Sequence, residues 1–291
     1  MSTSKEIAGF TNSNAKTVFW PSIGKSLLYL VLFFWALVSI FPFWWLLVCA
    51  TRKTGDMFNI PLPLLPGTSL LDNIKGLFTS TLFLRQFINS IFVGITGTAS
   101  QLFLASLAGY AFAKFDVRHK EKFFLIILAT MMIPGQLTLI PGFLLMSRFH
   151  WLNTYWALLI PGLVGAFGIF WMRQYINEAV PSELLDSARV DGCHELMIFL
   201  RIVFPVITPA LAALGTFTFL GWWNDFLWPM IVMREPAMYT LPVALRFLIT
   251  NYMFDYSKFM VGTALATFPM IVAFLVASKK FIAGLTAGAL K

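Results

Sequence analysis

PSELLDSARVDGCHELMIFLRIVFP, from Pro181 to Pro205, contains a short acidic helix pattern, a glycine and a second helix pattern between two long apolar runs. Glu183 and Asp186 lie early in the first pattern, where the helix dipole favours negative charge. Gly192 is placed to end that helix, because glycine adopts the left-handed conformation found at many helix ends. Apolar residues recur in the second pattern at the i, i+3, i+4 and i+7 positions of one helix face: Leu196, Phe199, Leu200 and Val203. This stretch, called the elbow below, therefore predicts two short helices joined by a glycine bend.

The composition of the chain indicates a membrane protein. Of its 291 residues, 58% are hydrophobic and 12% are charged, whereas a soluble domain has roughly 25% charged residues. Six apolar runs without any Asp, Glu, Lys, Arg or His approach or exceed the ~20 residues that a helix needs to cross a bilayer. They cover residues 27–50, 87–113, 123–146, 154–172, 202–224 and 259–278. Because lipid offers no partner to free backbone groups, we predict an all-α integral membrane protein with six transmembrane helices.

Basic residues predict the orientation of these helices. With the N-terminus inside the cell, the inner segments 1–26, 114–122, 173–201 and 279–291 carry 13 Lys and Arg residues, and the outer segments, of equal total length, carry 8. This bias follows the positive-inside rule and predicts that both termini and the elbow are cytoplasmic. The predicted organisation is an N-terminal tail (1–26), a transmembrane domain (27–282) and a C-terminal tail (283–291). The net charge of +8 lies in these short connectors, a distribution that favours membrane orientation over nucleic-acid binding.

The residues of this chain do not indicate catalysis, nucleotide binding or metal binding. The triplet at Gly24–Ser26 resembles part of a phosphate-binding loop, but Phe19 stands where the first glycine is required. The three histidines are scattered without metal-ligand spacing, and the spans lack the ionisable residues that ion-coupled carriers and membrane enzymes usually place there. We therefore expect no catalytic residue, metal or cofactor, although an ion-coupled carrier remains an alternative.

Two local patterns describe the shape of the helix bundle. Small residues four apart on the second run predict close contact with another helix: Ala105, Gly109 and Ala113. Pro-Gly pairs at 134–135 and 141–142 predict that the third run is bent or interrupted. A group of tryptophans near the end of the fifth run is typical of an aromatic belt at the membrane surface: Trp222, Trp223 and Trp228.

Polar uncharged residues inside the runs are candidates for a solute pathway. Gln101, Gln136 and Asn224 carry amides, which both donate and accept hydrogen bonds and therefore suit ligands rich in hydroxyl groups. Hydrogen bonding between helices is the alternative role for each of them.

The elbow pattern alone is also compatible with an ordinary surface loop, but its spacing resembles a known motif. The spacing of Asp186, Ser187, Ala188 and Gly192, with Ile and Pro at positions 202 and 205, is similar to the EAA loop of ABC importer permeases. Asp186 stands where this motif usually has Glu, and Ser187 stands where it usually has Ala. Asp191 and the PAL sequence at 209–211 also match. WWNDFLWPMIV (222–232) and GLTAGALK (284–291) resemble the sugar branch of this family, in particular the maltose-type inner-membrane subunit.

The resemblance implies the type I ABC importer permease fold, with the elbow as a cytoplasmic coupling helix that docks on an ATPase. The residues that it assigns to this contact are Glu183, Leu184, Leu185, Asp186, Ser187, Ala188, Arg189, Asp191 and Gly192. It further implies a second homologous permease, two ABC ATPases that hold ATP and Mg²⁺, an extracytoplasmic solute-binding protein and a place in the bacterial inner membrane. The implied cargo is a sugar or oligosaccharide, and a polyol, a glycerol phosphate or a uronic-acid oligosaccharide is the alternative.

Overall fold

The computed structural model describes residues 22–250 and 255–289, which contain helices and no strand. Both predicted tails lie partly outside the described residues. In the N-terminal tail (1–26) these are residues 1–21, and in the C-terminal tail (283–291) they are residues 290 and 291. The helices are α1 (Ser22–Ala50), α2 (Leu70–Ser80), α3 (Phe83–Lys114), α4 (Lys120–Thr130), α5 (Leu139–Arg148), α6 (Tyr155–Leu159), α7 (Ala166–Ala179), α8 (Ser182–Val190), α9 (Glu195–Ile198), α10 (Phe204–Val206), α11 (Thr208–Asn224), α12 (Leu227–Val232), α13 (Leu241–Thr250) and α14 (Tyr256–Ala289). The predicted all-α class is confirmed.

The chain divides into two units, residues 1–46 and residues 47–291. The described part of the first unit is most of α1, whose apolar segment of 27 residues is long enough to cross a membrane. Pro42 lies inside this helix, as is tolerated in transmembrane helices. The second unit contains all the other helices.

Three helical segments of the described chain are long and apolar enough to span a membrane alone: 24–50, 83–114 and 256–275. Three further segments pass the same test only as bent pairs: 120–130 with 135–148, 155–162 with 166–179, and 195–206 with 208–232. The bends are 90°, 46° and 80°. By length and composition the described chain therefore offers up to six spans. Three of these spans consist of two helices joined at a bend, although the apolar sequence runs that predicted them are continuous.

The break in the third run lies at one of its two Pro-Gly pairs. α4 ends at Thr130, and Pro134 precedes a 3₁₀ turn over Gly135–Thr138, since proline disfavours helical geometry in the residue before it. Pro141 is the third residue of α5 and does not interrupt it. Its missing N–H has no intrahelical partner at that position.

The core of the larger unit is built around α3, which packs along α7 and α11. At Gly109 a Cβ would lie 2.7 Å from Met172 Cβ and 2.9 Å from the Arg173 backbone nitrogen. At Gly168 of α7 a Cβ would lie 3.1 Å from Ala105 Cβ. The row of small residues on α3 is thus the line along which α7 approaches most closely.

We expect Gly109→Ala to destabilise the protein by about 1–3 kcal/mol, because the clash includes backbone atoms that cannot rotate away. The measurement is the melting temperature of the purified protein in detergent. Gly221→Ala on α11 is the control, since a Cβ there meets nothing within 4 Å. An unchanged melting temperature for Gly109→Ala would contradict the close packing of α3 on α7.

Candidate functional site

The elbow consists of α8, a glycine turn and α9, in that order. Gly192 has φ of +81° and its N–H donates to the Arg189 carbonyl at 3.0 Å. The N–H of Cys193 donates to the Ala188 carbonyl, also at 3.0 Å. These two bonds form a Schellman motif that closes α8. The prediction that Gly192 ends this helix is confirmed.

α8 has one buried and one exposed face. Leu185 and Ala188 are 1% and 7% exposed and lie in a cluster with Tyr110 of α3 and with Met172 and Ile176 of α7. The other predicted coupling residues, apart from half-buried Arg189, are exposed: Glu183, Leu184, Asp186, Ser187, Asp191 and Gly192. The buried face therefore fixes α8 to the ends of α3 and α7, and the opposite face is open.

A hydrogen-bonded network joins the elbow to α3. Arg189 Nε donates to Glu195 Oε1 at 2.7 Å, and Arg189 Nη1 donates to Asp186 Oδ1 at 2.8 Å. The hydroxyl of Tyr110, which is 2% exposed, donates to Glu195 Oε2 at 2.7 Å. The Arg189 guanidinium also lies 6.0 Å from the centre of the Phe115 ring. We call Tyr110, Arg189 and Glu195 the latch, because they connect α8, α9 and the end of α3.

Arg189 stays protonated in the latch. Its hydrogen bond to the Glu195 carboxylate raises the pKa of the guanidinium above its already high ordinary value, against the opposite effect of burial. The latch therefore contains a permanent cation, and removal of Glu195 would leave Asp186, on the same helix, as its remaining carboxylate partner.

The passage from the elbow into α11 is broken, although the run 202–224 predicts a continuous span. A π-helical turn over Phe199–Val203 leads into α10, and α11 starts only at Thr208 after Ile207. Pro205 has no N–H to donate to the carbonyl four residues earlier, and Pro209 is restricted to the first turn of the next helix. The elbow is therefore joined to α11 through a bend of 80°.

An open cavity of about 440 Å³, called the central cavity below, is lined mainly by residues of α3, α7 and α11. Its lining residues are Gln101, Gly162, Phe167, Leu214, Phe217, Thr218, Gly221, Trp222 and Asp225. Trp222 Nε1 donates to Gln101 Oε1 at 2.9 Å. The wall thus combines aromatic rings with an amide, a hydroxyl and a carboxylate, as in many sites for small ligands.

Three glycines make room for the polar wall of this cavity. A Cβ at Gly97 or at Gly162 would lie 2.5 Å from the Trp222 ring. A Cβ at Gly165 would lie 2.6 Å from Gln101 Nε2. The indole and the amide are therefore held at positions that residues with a side chain at these three sites would not allow.

Only one of the three predicted pathway residues lines the cavity. Gln101 lies in its wall, whereas the Asn224 amide donates to the Leu220 carbonyl of its own helix at 3.0 Å and is exposed. Gln136 is exposed in the turn between α4 and α5. Asp225 also lines the cavity. It was not among the predicted pathway residues, because it directly follows the apolar run 202–224.

The three tryptophans that the sequence predicts to form an aromatic belt all use their indole N–H groups for hydrogen bonds within the bundle. Trp223 is 2% exposed and donates to the Ala266 carbonyl at 3.1 Å. Trp228 donates to the Ala157 carbonyl at 2.8 Å. Together with the bond from Trp222 to Gln101, each indole N–H joins two different elements of the bundle. Within the described part of the chain, no three His, Cys, Asp or Glu side chains form a group that could hold a metal.

Comparison with known proteins gives consistent matches. Residues 101–279 match the family described as binding-protein-dependent transport system inner membrane component. The chain is 36% identical to the arabinooligosaccharides transport system permease protein AraQ of Halalkalibacterium halodurans, over 89% of this chain and 93% of that protein. It is 37% identical to the lactose transport system permease protein LacG of Rhizobium radiobacter, over 88% and 93% of the two chains.

The fold also matches a solved structure. A chain of a bacterial ABC transporter involved in the import of the acidic polysaccharide alginate superposes with a TM-score of 0.79. The match covers 89% of this chain and 97% of that chain, at 24% sequence identity. The predicted importer permease fold is confirmed by this likeness.

Proposed function

This chain belongs to the family of inner membrane components of binding-protein-dependent transport systems, and we propose that it carries a sugar or oligosaccharide across the bacterial inner membrane in an ATP-driven importer. The two relatives that are named as arabinooligosaccharide and lactose permeases support this choice of cargo. The observation that supports the coupling role most directly is the two-faced helix α8. Its apolar face is buried against α3 and α7, and its polar face remains open for a partner.

The proposed mechanism assigns energy supply to other subunits. Two ABC ATPases bind ATP and Mg²⁺ and receive the exposed face of α8 in the cytoplasm, where both termini of this chain also lie. A second homologous permease completes the pathway, and an extracytoplasmic binding protein delivers the solute. Closure of the ATPases displaces the elbow, and the bundle then exposes its central cavity to alternate sides of the membrane.

Gln101, Gln136 and Asn224 have different standing in this mechanism. Gln101 is assigned to the pathway because its amide lies in the wall of the central cavity. Gln136 and Asn224 remain predictions, Gln136 at the break between α4 and α5 and Asn224 beside Asp225 in the chain.

Single cysteines on α8 test the docking of an ATPase. In a chain with Cys49 and Cys193 replaced by alanine, we expect Val190→Cys, at a position 88% exposed, to crosslink to the ATPase in the assembled importer. Leu185→Cys is the matched control on the same helix and is expected not to react, because Leu185 is 1% exposed. The measurement is the yield of the crosslinked pair on a denaturing gel.

Val190→Cys, together with a cysteine in a predicted outer segment, tests the orientation. A thiol reagent that does not cross membranes is expected to label Ile60→Cys, at a position 98% exposed, in intact cells. It is expected to label Val190→Cys only after the cells are opened. Labelling of Val190→Cys in intact cells, or the absence of any crosslink to the ATPase, would contradict the proposed role of the elbow.

A further inference from the structure

We propose that the central cavity is a binding subsite for one ring of an uncharged sugar, and that Asp225 is the residue that selects against anionic cargo. This inference rests on the proposed function and names the class of solute. It depends on the chemistry of the cavity wall, to which Gln101, Thr218, Trp222 and Asp225 contribute polar groups.

The polar groups of the wall are suited to hydroxyl groups. Gln101 Oε1 is engaged by the Trp222 indole, which leaves the amide Nε2 as a donor. The Asp225 carboxylate accepts hydrogen bonds, and the Thr218 hydroxyl both donates and accepts. A sugar ring presents hydroxyl groups that fill all three roles.

The remaining wall of the cavity is aromatic and apolar. Phe167 and Phe217 are 46% and 54% exposed, and Leu214 and the Trp222 ring complete the lining. A sugar ring has C–H faces as well as hydroxyl edges and fits a wall divided in this way. The volume of about 440 Å³ lies within the range of roughly 300–1,000 Å³ usual for small-ligand sites.

The charge of the wall favours a neutral solute. Asp225 is the one ionisable residue among the described lining residues, and these include no Lys, Arg or His. A carboxylate on the solute would face Asp225, and the two like charges would repel each other. The cavity is therefore suited to an uncharged saccharide rather than to a uronic acid or a sugar phosphate.

Asp225 directly follows α11 and lines the cavity. An ionised carboxylate accepts hydrogen bonds at about four positions, which the hydroxyl groups of a sugar can use. Asparagine has nearly the same shape as aspartate and carries no charge, so Asp225→Asn tests the charge alone.

Protection of a cysteine in the cavity wall tests this proposal. Gly221→Cys, at a lining position where a Cβ meets nothing within 4 Å, is placed in the complete importer without other cysteines in this chain, and its modification by a maleimide is timed. We expect lactose and arabinotriose to slow the reaction about threefold or more, and digalacturonic acid at the same concentration to have no effect. In Asp225→Asn the acidic disaccharide is expected to protect as well as lactose does.

Two further variants complete the experiment. Asp72→Asn removes an exposed carboxylate of α2 outside the cavity and is expected to leave the difference between neutral and acidic sugars intact. Gly165→Ala, whose Cβ would displace the Gln101 amide, is expected to reduce protection by lactose. Equal protection by neutral and acidic sugars in the unmodified cavity, or no protection in an importer that transports lactose or arabinotriose, would overturn the proposal. An importer whose ATP hydrolysis responds to no saccharide would instead contradict the proposed function.

Discussion

Replacing Gly192 by valine is expected to lower sugar uptake about tenfold while the permease remains in the membrane. The φ of +81° at this position costs a residue with a Cβ about 1–2 kcal/mol, and a β-branched side chain fits the left-handed region worst. About 1.4 kcal/mol corresponds to a factor of ten. A Cβ at Gly192 would meet nothing within 4 Å, so the strain lies in the backbone. Valine therefore opens the Schellman turn and changes the angle between α8 and α9.

The measurement compares uptake and ATP hydrolysis in vesicles that contain the complete importer. Gly192→Asn is expected to retain most of the uptake, because asparagine tolerates the left-handed conformation. Gly55→Val is the matched control, since its site is equally open and has no positive φ. Normal uptake by Gly192→Val would show that the turn geometry of the elbow is not needed for coupling.

Features that depend on local chemistry could be predicted from the sequence. The left-handed position at the end of α8 favours glycine, and a six-residue spacing identified it together with Asp186. Apolar runs without charges predicted membrane spans, because the cost of burying an ionised group in lipid is independent of tertiary detail. The row of Ala105 and Gly109 predicted a close helix contact, which α7 makes.

Features that depend on distant segments could not be predicted in this way. Whether Pro134 or Pro141 interrupts the third run is decided by which one falls at the start of a helix, where a missing N–H has no cost. Trp222 packs against α3 because Gly97 and Gly162, far apart in the chain, leave a space for its indole. A run of tryptophans near a span end carries no signal of that space.

The latch is the second feature for which a large effect is expected. In Glu195→Leu we expect uptake per ATP hydrolysed to fall about tenfold, since the buried Tyr110 hydroxyl loses its acceptor and the Arg189 guanidinium keeps only Asp186, which lies on its own helix. Hydrogen bonds to a charged group contribute about 1.5–3 kcal/mol, and partial exposure reduces this value. The side chains of Arg189 and Glu195 are 34% and 40% exposed, so we expect about 1–2 kcal/mol to be lost. The ATPase can still bind the exposed face of α8, but its motion no longer reaches α3.

A pair of variants separates this role from simple loss of stability. Tyr110→Phe removes the hydroxyl bond to Glu195 and is expected to reduce uptake less than Glu195→Leu does. The double variant is expected to behave like Glu195→Leu alone, because both changes break the same connection. If the two effects instead add, Tyr110 and Glu195 act independently and the latch is not a unit.

A second Arg–Glu pair supplies the control for the latch. Arg173 Nη2 of α7 donates to Glu121 Oε1 of α4 at 2.6 Å, and Glu121 is 65% exposed. Glu121→Leu therefore removes the same chemistry from a contact that does not include the elbow. We expect it to leave uptake per ATP hydrolysed unchanged, because this contact joins α4 to α7 and does not include the elbow. Uncoupling by Glu121→Leu as strong as by Glu195→Leu would mean that loss of an ion pair anywhere near this end of the bundle is sufficient. The connection from α9 through Glu195 to Tyr110 would then have no special part in transmitting the motion.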